Sequence, residues 1–173
     1  MTLRIPPHTP SQTLEGGRNM DVRIKEKDAF TLVVKKKLFN LRTGSDDVPR
    51  YWSENVKGRF KPSKYKKVGV TELIEGTSAF YFGIGGRIRK SKTAPRGFEK
   101  MEIPKNTWAI FTERGPMPSA MQNLWKKIYT EFFPKSKYES VPEYELEVYS
   151  EGDPKDPDYK IEAWVPIRLK NVK

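Results

Sequence analysis

From Met20 onward, apolar and polar residues trade places at short intervals, and the intervals change along the chain. "MDVRIKEKDAFTLVVKKKL" sets β-branched and aromatic residues in strand-like alternation between charges, which predicts one long strand bent near Asp28. After the turn-rich "RTGSDD", "VPRYWSENVKGRF" predicts a helix, with Pro49 where a first turn tolerates it. "VGVTELI" and "SAFYFGIG" predict two strands, and the basic, glycine-rich "GIGGRIRKSKTAPRG" a connection.

The order then recurs. "FEKMEIPKNTWAIFTE" predicts a strand with Pro104 at an edge or bulge. "SAMQNLWKKIYTEFF" places Met121, Leu124, Trp125, Ile128 and Phe132 three and four apart, an amphipathic helix with a Ser119/Gln122 capping-box pattern and Pro134 as its stop. "EYELEVYS" and "YKIEAWVPIRL" predict the last two strands, around the loop "EGDPKDPD". Strand, helix, strand, strand, written twice, predicts an α+β fold with helices on one face of an antiparallel sheet, in two pseudo-repeats of about 21–88 and 97–170.

Alternation assigns faces. Leu146 and Val148 share one side of their strand; Glu145, Glu147 and Tyr149 share the other. Ile161, Ala163, Val165 and Ile167 make the apolar side of the next strand, under the Trp125 helix, with Glu162 and Trp164 opposite. The expectation is that carboxylates and aromatics from both strands gather on the face away from the helices. Trp125, on the helix stripe, is assigned to the core.

Charge sharpens this picture. The chain of 173 residues has a formal net charge of +11, yet residues 141–163 hold eight Asp and Glu against two Lys. The absence of cysteine excludes disulfides and thiolate chemistry and fits the cytoplasm. The single histidine, His8, lies in the Pro-, Gly- and Thr-rich opening residues 1–20, read as a flexible extension, so the folded part has no histidine base or histidine metal site. No apolar run reaches the roughly 20 residues of a membrane span. "DPKDPD" lacks the spacing of a calcium loop and reads as a hairpin turn; no metal or cofactor is expected.

"YELEVY", the acidic loop and "YKIEAWVPI", preceded by "MEIPKNTWAIFTERG" and its helix, resemble the GyrI-like small-molecule-binding family, related to effector-binding domains of AraC-type and multidrug-responsive regulators. The resemblance covers roughly residues 20–170. It implies two tandem strand-helix-strand-strand modules with a ligand cavity at their junction, and a buried glutamate among aromatics that receives cationic or polar organic ligands. Glu147 is the best match to the family's Glu-x-Tyr pattern and Glu145 the second. Tyr149, Trp164 and Glu162 are the expected neighbours, with Tyr81, Trp108 and Trp52 either ligand wall or core. About 20 leading residues leave no room for a helix-turn-helix, which implies a stand-alone binder, an effector sensor or sequestering module with a regulatory protein as its partner.

Two rival classes stand beside that reading. Residues 21–70 carry fourteen Lys and Arg against six Asp and Glu, the charge of a nucleic-acid binder, though no recognition helix accompanies it. A hydrolase would use Glu147 to activate water and a tyrosine such as Tyr81 to donate a proton. The solvated-face alternative for Glu145 and Glu147 is cross-strand pairing with cations such as Lys160.

Overall fold

The computed structural model describes residues 20–55 and 67–171. The elements run β1 (Asp21–Lys27), β2 (Phe30–Asn40), α1 (Gly44–Asn55), β3 (Lys67–Leu73), β4 (Ala79–Ile88), β5 (Glu99–Ile103), β6 (Asn106–Arg114) and α2 (Ser119–Lys127). A π-helical stretch, Ile128–Phe132, and a final turn, α3 (Phe133–Lys135), continue α2; β7 (Tyr138–Ser140), β8 (Tyr144–Tyr149) and β9 (Lys160–Leu169) complete the chain. All strands join one antiparallel curved sheet in the order β1-β6-β9-β8-β3-β4-β2-β5, with β7 added to β9. The fold is α+β, as the pattern predicted.

Each of the two long predicted strands is in fact two strands. The first breaks at Asp28–Ala29, so that β1 pairs with β6 while β2 pairs with β4 and β5. The second breaks at Pro104–Lys105, where proline removes a ladder donor; β5 joins β2 and β6 joins β9. Each long segment thereby lends its first part to the far half of the sheet.

The helices sit over the outer strands, α1 on β2 and β4, α2 on β6 and β9. Helix α1 begins earlier than expected, at Gly44, and the rest of its predicted span falls in residues 56–66, outside those described. The extension of residues 1–20 lies outside them too, but for Met20. The capping box does not form at α2: Ser119 donates to Pro116 O at 3.0 Å, and Gln122 Nε2 donates to Ser45 O at 3.0 Å, tying α2 to α1. Nor does Pro134 stop the helix; it sits within the last turn, which runs to Lys135.

The sheet is buried on both sides. Phe111, Ala163, Ile161 and Tyr149 pack with Leu124, Ile128 and Phe132 beneath α2, and Phe39, Phe80 and Phe82 pack with Tyr51 beneath α1. The opposite face has its own core, in which Leu32, Val34 and Met101 from one half meet Trp108, Ile110 and Leu146 from the other.

Gly85 sets how closely β2 and β4 approach: a Cβ there would lie 1.7 Å from the carbonyl oxygen of Val33. Gly85→Ala is expected to lower unfolding free energy by about 3 kcal/mol or more, since backbone must move to admit a methyl group. Chemical denaturation of the variant measures this.

Candidate functional site

Because each helix covers an outer strand pair, the central strands β3 and β8 are left with space above them between α1 and α2. That space is a cavity of about 870 Å³, within the range of roughly 300–1,000 Å³ that takes drug-sized ligands. Val48 and Trp52 of α1 and Met121 and Trp125 of α2 form opposing walls, with Phe80, Phe82 and Tyr149 from the sheet. The acidic loop after β8 supplies another side through Ser150, Glu151, Gly152, Pro154 and Lys155. That loop is held in place by Asx turns at Asp153 and Asp156 and by the Met117 N–H donating to Pro154 O at 2.7 Å.

Register decides what points in. Across the sheet, Val22, Phe111, Ala163, Glu147, Gly69 and Ile84 stand side by side, and this row faces the helices. The adjacent row, Arg23, Ile110, Trp164, Leu146 and Val70, faces away. Glu145, Glu147 and Tyr149 therefore lie on the helix face, the reverse of the face expected, and with Trp52 they line the cavity. Trp164, Glu162, Trp108 and Tyr81 do not join them. Trp108 and Trp164 belong to the core of the other face, their rings 6.0 Å apart. Tyr81, paired with Leu38 and Glu72, sits under Lys36 on that face too, so the Glu147–Tyr81 couple of the hydrolase alternative is separated by the sheet. Trp125, assigned to the core over the ligand wall, is a cavity wall and hydrogen-bonds Glu147.

Glu147 is 9% exposed. Its Oε1 accepts the Trp125 indole N–H at 2.8 Å, and its Oε2 accepts the Tyr149 hydroxyl. The buried Trp52 N–H has no hydrogen-bond partner among the described residues, yet lies near enough to favour the ionised carboxyl. Room comes from Gly69, directly opposite: a Cβ there would sit 2.7 Å from Phe82 Cζ and 3.1 Å from Glu147 Oε2. Among the described residues, neither Glu147 nor Glu145 forms a salt bridge. Burial pushes Glu147 above the usual carboxylate range, while the Tyr149 and Trp125 donors and the nearby Trp52 N–H pull it back. Glu145 accepts from Tyr129 and is pushed up to about 7, by burial first and by the neighbouring Glu147 charge second.

Glu162 makes the comparison. It is also buried, at 6%, but Arg23 lies 2.9 Å and Lys160 3.4 Å from its Oε1, and Trp164 Nε1 donates to Oε2 at 3.0 Å. The cation-paired alternative thus describes Glu162, while Glu147 is held by uncharged donors alone.

The profile of the GyrI-like small molecule binding domain matches residues 20–168. The chain belongs to the GyrI-like family. A curated relative, the transcriptional regulator BrlR of Pseudomonas aeruginosa, is 26% identical over 160 residues, 87% of this chain and 56% of BrlR, so the chain spans about half the length of that relative. The GyrI-like fold is shared with SAV2435, solved bound to tetraphenylphosphonium, at a TM-score of 0.72 and 15% identity over 86% of this chain and 94% of that one. The EcmrR C-terminal domain matches at a TM-score of 0.57 and 12% identity, over 87% and 99%. At such identities the structures show the fold alone. Among the described residues no helix is long and apolar enough to cross a membrane.

The Glu145 shift carries a pH dependence of stability. An unfolded chain loses this proton near 4.5 and the folded chain near 7, so raising pH between those values favours unfolding, with the full penalty above 7. Glu145→Gln removes that penalty. The variant is expected to be more stable than wild type by about 1–2 kcal/mol at pH 8, with the difference vanishing toward pH 4.5; thermal melts across that range measure it.

Proposed function

We propose that this GyrI-like domain binds lipophilic organic cations in the cavity between α1 and α2, with Glu147 as charge partner and Trp52, Trp125 and Tyr149 as aromatic walls. Its role is that of an effector sensor or sequestering module in the cytoplasm, acting with a regulatory protein partner. The observation that carries this reading is the pairing of Glu147: a carboxylate removed from water, stabilised by neutral N–H and O–H groups, and facing a mostly apolar cavity whose lysines, Lys67 and Lys155, form no ion pair with it among the described residues. Burial of an unpaired charge is costly, and an entering cation relieves that cost. Flanking indole and phenol faces add cation–π attraction of about 0.5–2 kcal/mol each. Tetraphenylphosphonium, the ligand in the SAV2435 structure, has the chemistry such a cavity selects: delocalised positive charge under aromatic surface.

Tetraphenylphosphonium is expected to bind and to quench tryptophan fluorescence, and Glu147→Gln to weaken it by about 1–3 kcal/mol while leaving neutral triphenylphosphine oxide nearly unaffected. Glu145→Gln should cost less, because that carboxyl is partly protonated near pH 7. Equal losses for the charged and neutral ligands, or no binding by wild type, would overturn the reading.

Trp125→Phe keeps a wall and deletes the 2.8 Å hydrogen bond. With one fewer donor the carboxyl ionises at higher pH. The pH at which tetraphenylphosphonium affinity is half-maximal should therefore rise by about one unit, as followed by titrations between pH 5 and 9.

A further inference from the structure

On the face away from the helices, cations from distant parts of the chain converge. Arg23, Lys25 and Lys27 follow one another along the outward side of β1, an edge strand. Lys160 comes from β9, and Arg87 from the end of β4 in the other half of the sheet. Lys27 Nζ lies 4.9 Å from the Trp164 ring centre, and the Arg87 guanidinium 5.0 Å from that of Phe30. The two aromatic clamps are joined through Trp108, whose ring is 6.0 Å from Trp164 and 6.4 Å from Phe30.

The cluster's carboxylate is Glu162, already engaged by Arg23, Lys160 and the Trp164 N–H. The remaining positive charges repel one another: Lys27 is pulled below its usual range, by burial first and then by Lys25, Arg87 and Arg23, with Glu162 opposing. Two buried donors stand in the same neighbourhood without an acceptor among the described residues. They are Trp108 Nε1, on a residue with no exposed surface, and Asn106 Nδ2; their residues pair with Lys25 and Lys27 across the β1–β6 ladder. Excess cations, unanswered N–H groups and half-buried aromatic surface together describe a place short of negative charge.

We propose that this face carries a second binding site, for a small multivalent oxyanion bearing phosphate or carboxylate groups, seated between Lys27 and Arg87 beside Trp164. Lys25 and Arg23 supply long-range attraction, and Arg87 offers the planar fork that grips two oxygens. The site lies on the opposite side of the sheet from the cation cavity, so the two ligand classes do not compete for contacts.

The test is calorimetric titration of the full chain with pyrophosphate and, separately, citrate, at physiological ionic strength. Saturable one-to-one binding with submillimolar affinity is expected for at least one, and the stronger ligand tells phosphate from carboxylate chemistry. Lys27→Gln combined with Arg87→Gln should weaken that binding at least tenfold while tetraphenylphosphonium affinity stays as in wild type. The double variant also sheds like-charge repulsion, so without anion its melting temperature should equal or exceed that of wild type, which separates loss of the site from loss of the fold. No saturable anion binding by wild type, undiminished binding by the double variant, or binding of a short DNA duplex but of neither small anion would overturn the proposal. The cation titration reports independently on the other cavity.

Discussion

Two helices cannot cover eight strands laid side by side. In this GyrI-like domain α1 sits on β2 and β4 and α2 on β6 and β9, and the central strands left between them, β3 and β8, belong to different halves of the chain. The cavity follows from that constraint: its floor is the β3–β8 seam, its walls are the facing sides of two helices, and its rim is the loop that returns from β8 to β9. The seam holds because β1 and β5 cross into the opposite half, so neither half of the sheet ends where its own helix does.

On that seam a single substitution of size decides what the floor can be. Gly69 stands opposite Glu147, and the volume a side chain would take there is occupied by Phe82, the Glu147 carboxyl and the Trp52 indole. Glu147 and Glu162 occupy neighbouring strands, on opposite faces, with similar burial. Glu162 is neutralised from the basic β1 edge; Glu147 is neutralised by nothing within the described ion pairs and is held in place by an indole and a phenol. One is a structural charge pair whose gain is set against desolvation of both partners. The other is buried with no ion-pair partner among the described residues, its desolvation offset only by neutral donors.

The acidic bias of residues 141–163 thus has several separate causes. Glu145 and Glu147 face the cavity and Glu151 stands on its rim; Asp153 and Asp156 cap turns of the loop; Glu162 anchors Arg23 on the far side. Charge counting could find the region, because composition is additive along the chain. It could not separate these roles, because each depends on which neighbour the sheet brings alongside.

The sequence by itself determined the α+β class, the antiparallel strands, the amphipathic α2 and the pairing of Glu145, Glu147 and Tyr149 on one side of their strand, since period-two and period-three-to-four patterns are local consequences of backbone geometry. The choice of Glu147 within that set came from the resemblance to the family and not from the alternation, which left a solvated face open. The sequence did not show that the long segments break at Asp28 and Pro104, because a crossing strand and a straight one carry the same alternation. Nor could it say which side of β8 meets the helices: both sides are buried, so apolar Leu146 and Val148 gave no sign of facing a second core instead. Register alone, Glu147 beside Ala163 and Leu146 beside Trp164, settled that, bringing Trp125 to the carboxylate and sending Trp164 to the other face. A one-residue shift reverses every side chain on a strand, and the pairing that fixes it is made between segments far apart in the chain.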